Sequence, residues 1–155
     1  DGTTLGDFRK AYDRIVADAG WSFGGTPGWH AQLVFRTNVA IATAAGRWDQ
    51  IQQVKDSRPY LRYVTVHDDR VRPEHRQWHN VVLPVAHPFW NDHFPPNGFN
   101  CRCHVQSLSE ADIGRYGLRL TNPSDERLKL PPDKGWGGNV GKAGLALATG
   151  SMNAD

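Results

Sequence analysis

The stretch from Tyr63 to Val105 restricts the fold more than any other. Prolines stand at Pro73, Pro84, Pro88, Pro95 and Pro96. Proline lacks a backbone donor and breaks helix interiors, so only short helices, short strands and turns fit here. The same stretch holds six of the seven histidines (His67, His75, His79, His87, His93 and His104) and both cysteines, Cys101 and Cys103. Groups that bind metal or move protons are therefore concentrated where the backbone must be irregular.

The flanking sequence is more regular. Phe8, Tyr12, Ile15, Val16 and Ala19 recur at helical spacing, which predicts a helix over 5–19. Thr4 with Asp7 forms a capping pattern, and Gly20 suits the stop. The Trp21–Gly25 loop is expected to tuck an aromatic inward. Thr26 and Pro27 open a second helix, with Trp29, Leu33, Ala40, Ile41 and Ala44 as its buried stripe. Gly46 ends it or bends it into 47–55, where Trp48, Ile51 and Val54 face inward. Asn38 reads as a solvated residue.

After Pro59 the spacing predicts strands over 60–66, 81–85 and 101–105, with Pro84 arguing for an edge. A short helix is expected over 74–79 and another over 107–116, capped by Ser107 or by Ser109 with Asp112. The segment from His87 to Trp90 reads as loop, as does most of the chain beyond Tyr116. The fold class is therefore α+β: N-terminal helices packed on a small, mostly antiparallel sheet with long ordered loops. We expect one domain over 1–143, helical in 4–57 and built of hairpin and loops in 58–120, with a flexible arm at 144–155.

Composition narrows the function. Apolar residues make up 39% of the chain, yet no run approaches the ~20 needed to cross a bilayer, so no membrane partner is expected. Net charge is +2, and its excess lies only in Arg58 and Arg62, so composition supplies no basic face for nucleic acid. Two cysteines spaced as Cys-x-Cys cannot make a secreted disulfide framework, which points to free thiols or thiolates on a metal. The N-terminus carries no initiator Met, and a longer precursor is expected.

Two site readings follow from the central stretch. Cys101 and Cys103, on one strand, share a side, and His75 and His79 share a helix face at i, i+4. Together they supply the two sulfurs and two nitrogens of a structural zinc site. Alternatively, the thiols are small buried residues and His75 is a hydrogen-bonded core residue. Asp68, Asp69, Arg70, Arg72, His75 and Arg102 make a second set. It reads as an acid–base and phosphate-binding centre of a nuclease or toxin domain, or as an ion-pair network that pins loops. Phe89, Trp90, Phe94 and Phe99 read as core aromatics.

The runs Asp69-Arg70-Val71-Arg72-Pro73-Glu74-His75 and Pro95-Pro96-Asn97-Gly98-Phe99-Asn100-Cys101-Arg102-Cys103 resemble the phage Mu protein F-like family of minor head, or head morphogenesis, proteins. Arg58-Pro59-Tyr60, Arg36-Thr37-Asn38 and Gly135-Trp136-Gly137-Gly138-Asn139 fit the same resemblance. Family members commonly carry Gly where this chain has Asn80, a residue that also tolerates a left-handed backbone. The resemblance implies a structural virion component in the head interior, and in the host cytoplasm during assembly. Portal and capsid proteins, and packaged double-stranded DNA, are the implied partners. It assigns Asp69, Arg70, Arg72, His75, Pro95, Pro96, Gly98, Cys101, Arg102 and Cys103 to a structural motif and implies no catalysis. A simple DNA-binding module is the remaining alternative.

Overall fold

The computed structural model describes residues 4–22 and 24–143, so the expected arm at 144–155 lies outside the described residues. The chain divides into two compact units, 1–41 and 42–155, with the boundary inside the second helix. No described helix is long and apolar enough to cross a membrane.

In the first unit, α1 spans Leu5–Asp18 behind the expected box, where Thr4 Oγ1 accepts from the Asp7 amide and the Asp7 carboxylate accepts from Thr4. Helix α2 spans Pro27–Val54 without a break at Gly46, whose position is open on all sides. Thr26 caps it, accepting from the Trp29 amide at 3.3 Å. The two helices of this unit meet through Phe8 and Phe35, with ring centroids 5.3 Å apart, and through Tyr12 and His30. Gly28 lets the Arg9 guanidinium lie close against the backbone, where Arg9 Nη2 donates to Gly28 O at 3.0 Å. The expected stripe is only partly realised: Ala44 is buried and Leu33, Ala40 and Ile41 are half-buried, whereas Trp29 is exposed; Ala31, outside that set, is fully buried. Trp21 is exposed, and the other aromatic of the 21–25 loop, Phe23, lies outside the described residues. Asn38 is exposed, as expected, and bonds back to the Val34 carbonyl.

The second unit is organised by a three-stranded antiparallel sheet, β1 Tyr60–Val64, β2 Val82–Pro84 and β3 His104–Leu108, in the order β2-β1-β3. Pro84 does lie on an edge strand, where its missing donor costs no ladder bond. The carbonyls of β3 that point away from β1 are covered by arginines. Arg47 Nη1 donates to Val105 O at 3.0 Å, and Arg58 Nη2 donates to Ser107 O at 2.7 Å. A covered edge cannot recruit a foreign strand. Arg58 also pairs with Asp112 at 2.8 Å.

The expected strand at 101–105 is displaced to 104–108. Its partner sets the limit: β1 ends at Val64, opposite His104, and the chain before that has no strand to pair with. The other elements are α3 Pro73–Gln77, α4 Phe89–Asp92, α5 Glu110–Arg115 and a 3-10 turn over Glu126–Lys129. Ser109 and Asp112 form the α5 capping box, while Ser107 belongs to the strand. Sequence reading took the α4 segment for loop and did not detect the 3-10 turn.

Trp48, Ile51, Leu61, Tyr63, Trp78, Leu83, Phe89, Trp90, Phe94 and Val105 form one core. Val54 leaves it and is largely exposed. Two indole donors of the core are satisfied by carbonyls: Trp78 Nε1 donates to Arg127 O and Trp90 Nε1 to Pro84 O, each at 3.0 Å. Phe99 departs from the expected core set, being half exposed and edge-on to Trp136 at 4.8 Å.

Asn80 turns the chain between α3 and β2 with φ of 63°. Its amide donates to Tyr63 O at 3.0 Å, so the left-handed turn starts the hairpin. Asn80→Gly is expected to leave stability within about 0.5 kcal/mol, whereas Asn80→Val should cost about 1–3 kcal/mol, because a β-branched residue is strained there. Urea unfolding of the two variants checks this; equal stability would contradict it.

Candidate functional site: an arginine–aspartate clamp around two thiols and a histidine

The site lies wholly in the second unit. Pro73 starts α3 and places His75 one turn in, where the ring is buried and stacked 5.1 Å from Trp78. Asn97 is fully buried, accepting from Tyr63 Oη at 2.9 Å and donating to Asp92 O at 3.2 Å. That pair anchors the Pro95-Pro96-Asn97-Gly98 turn, whose Pro95–Pro96 bond is cis. Asn100, with φ of 55°, then turns the chain so that Cys101 and Cys103 face His75. The two thiols converge although neither is on a strand. Their sulfurs stand 3.7 Å and 3.9 Å from His75 Nδ1.

His79 is not part of this group. The i, i+4 argument needs a continuous helix, but α3 ends at Gln77 with Trp78 as its cap. His79 is turned away, with Nδ1 accepting from the Thr65 amide at 3.2 Å and its ring edge-on to His67. Burial and the nearby charges of His67 and Arg62 lower its pKa.

Two ion pairs brace the cluster. Arg102 forks onto Asp68, with both N–H···O distances 2.6 Å, and holds that carboxyl down to about 2. Asp68 also accepts from the Arg70 amide at 3.0 Å, and its carbonyl accepts from Arg76 Nη2 at 2.8 Å. Asp69 is exposed, so the acceptor of the pair is its neighbour. Arg72 pairs with Asp133 at 3.0 Å and donates to Phe99 O at 3.0 Å. Asp133 also lies 3.3 Å from His75 Nε2, off the hydrogen-bond direction, so that buried nitrogen has no aligned partner among the described residues.

Gly98 is needed because the Arg72–Asp133 pair crosses it. A Cβ there would sit 2.2 Å from the Asp133 carboxylate. Asp133 is the site residue that sequence reasoning missed. Pro131-Pro132 and Gly135 mark a turn around it, but nothing in the spacing ties it to Arg72. The tie is tertiary: the Asp133 amide donates to Asn97 O at 3.2 Å.

The thiols are electrostatically unequal. The thiol of Cys103, then His75 and backbone amides, hydrogen-bond to Cys101 and pull its pKa down. The same neighbour and burial push Cys103 up. Cys101 is the more readily ionised of the two, and both are free.

The model of the family described as Phage Mu protein F like protein matches residues 1–106, and the chain belongs to that family. It is 35% identical over 138 residues to the putative capsid assembly protein F of Escherichia phage Mu, covering 71% of this chain and 31% of that protein. It is 37% identical over 95 residues to the Mu-like prophage FluMu F protein of Haemophilus influenzae, covering 61% of this chain and 23% of that protein. An uncharacterised protein of Methanocaldococcus jannaschii is 43% identical over 49 residues, covering 31% of this chain and 8% of its own. The chain thus spans under a third of the length of these relatives. No solved structure matches it.

Proposed function

We propose that this chain is a phage head-assembly module. It is a structural component of the head interior, seated against the portal or capsid proteins, and is present in the host cytoplasm only during assembly. Kinship to a protein named for capsid assembly supports the class. The observation that carries the structural reading is how the central charges are used. Arg72, Arg76 and Arg102 all donate to carboxylates or carbonyls of the same unit. The cavity beside His75 and the thiols holds about 10 Å³, against the roughly 300–1,000 Å³ of a small-molecule site. A clamp of this kind fixes loop shape, and its work is adhesion without turnover.

Contact with packaged DNA is a finer reading, supported only by the size and positive charge of a separate groove, because its Arg47, Arg58 and Arg62 also donate within their own unit. Arg47, Arg58, Arg62 and His104 line a cavity of about 630 Å³ on the β3 side. The test of placement is mass spectrometry of nuclease-treated, cross-linked heads from a phage encoding this module. Cross-links from the module to portal or capsid protein are the expected result. Its absence from purified heads, with the protein found only free in the lysate, would overturn the proposal.

A further inference from the structure

We propose that His75 Nδ1, Cys101 Sγ and Cys103 Sγ bind one zinc ion that staples α3 to the loop before β3, with Asp133 as the positioning residue behind the histidine. This site would form whatever the role in head assembly.

The three candidate ligand atoms lie within 4.8 Å of one another. A tetrahedral zinc with Zn–S of about 2.3 Å and Zn–N of about 2.0–2.1 Å places sulfur and nitrogen roughly 3.5–3.6 Å apart. The observed separations, 3.7 Å and 3.9 Å, need only a small contraction. A thiol–imidazole hydrogen bond accounts for one such contact. It does not account for two sulfurs converging on one nitrogen, because Nδ1 offers either one lone pair or one proton.

The other side of the imidazole is arranged to match. A metal on Nδ1 requires the proton on Nε2, and Nε2 faces Asp133 at 3.3 Å. Carboxylate–histidine–metal chains fix the ring and raise its basicity in this way. Arg72 in turn holds the carboxylate at 3.0 Å. Without metal, Nε2 is a buried nitrogen lacking an aligned partner. A small contraction toward the thiolates would give it a reason to align. Two thiolates and a neutral imidazole cancel the charge of Zn²⁺, so burial of the site leaves no net charge. The soft sulfurs favour zinc over magnesium or calcium. The fourth corner falls to a water, for which the adjoining cavity of about 10 Å³ has approximately the right volume.

The test uses the 155-residue chain expressed in zinc-supplemented medium and purified under reducing conditions, with metal content read by mass spectrometry. About one equivalent of zinc is expected, and replacement by Co²⁺ should give intense thiolate-to-metal absorption. His79→Ala should keep the full equivalent, because that ring stands outside the site. Asp133→Asn should weaken zinc, measured by competition with a chelator, by about 10–100-fold. Wild-type protein with well under half an equivalent of zinc, and no rise in melting temperature on adding zinc, would overturn the assignment. That measurement needs no variant, so it stands even if Cys101→Ser or Cys103→Ser fails to fold.

Discussion

Trp78→Ala is expected to lower the unfolding free energy by about 3–5 kcal/mol, the range for truncating a large buried aromatic. Trp78 joins several parts of the second unit. Trp78 is fully buried, its ring stacks on His75 at 5.1 Å, and it meets Tyr63 at 5.5 Å and His93 at 4.9 Å. Its indole nitrogen also satisfies the Arg127 carbonyl. Truncation opens a cavity and leaves that buried acceptor without its donor. Trp78→Phe keeps much of the volume and loses the hydrogen bond, so an intermediate loss is expected. Urea unfolding followed by circular dichroism measures both. A loss under 1 kcal/mol for Trp78→Ala would mean that the core does not close around this ring.

Gly141→Ala is expected to cost about 3 kcal/mol, at the upper end for overpacking. The melting temperature should fall by roughly 6–12 °C for a chain of this size. A Cβ at position 141 would lie 2.2 Å from Trp48 Cβ and 2.5 Å from Trp48 Cγ. Those atoms begin the side chain, so no rotamer change removes the clash. Trp48 is itself buried and edge-on to Phe94 at 5.0 Å. The backbone of the turn must therefore move, and the turn is pinned. Asn139 Oδ1 accepts from the Gly141 amide at 3.0 Å, and Asn139 Nδ2 donates to Trp90 O at 3.0 Å. A melting temperature within about 2 °C of wild type would contradict this packing.

Local chemistry was legible in the sequence wherever a few neighbouring residues determine the outcome. The capping boxes at Thr4–Asp7 and Ser109–Asp112, the cap at Thr26 and the edge position of Pro84 all follow from short-range rules, while the left-handed turn at Asn80 was expected through the family resemblance. Features fixed by a distant partner were not legible. The start of β3 depends on where β1 ends, and the pairing of Asp133 with Arg72 depends on the loop contact to Asn97. His79 was misplaced because periodicity gave no sign that α3 stops after Gln77. Trp29 and Val54 were expected inside from their helical spacing, yet an apolar residue can stay exposed when nothing in its unit covers it.

The grouping of His75, Cys101 and Cys103 was readable from residue type, but for a partly wrong reason. The two thiols face one way through the turn at Asn100, not through strand alternation. Arg102, which lies between them, is drawn to Asp68 on the other side. The alternation of thiol, arginine and thiol therefore serves both the buried cluster and the surface brace.

The central claim is that this histidine–thiol–arginine hub is a closed clamp and not a centre of turnover. Incubating the purified chain with supercoiled plasmid and Mg²⁺ or Zn²⁺, beside His75→Ala, tests it most directly. The plasmid should remain supercoiled with both proteins. Cutting by the wild type that disappears in His75→Ala would contradict the account.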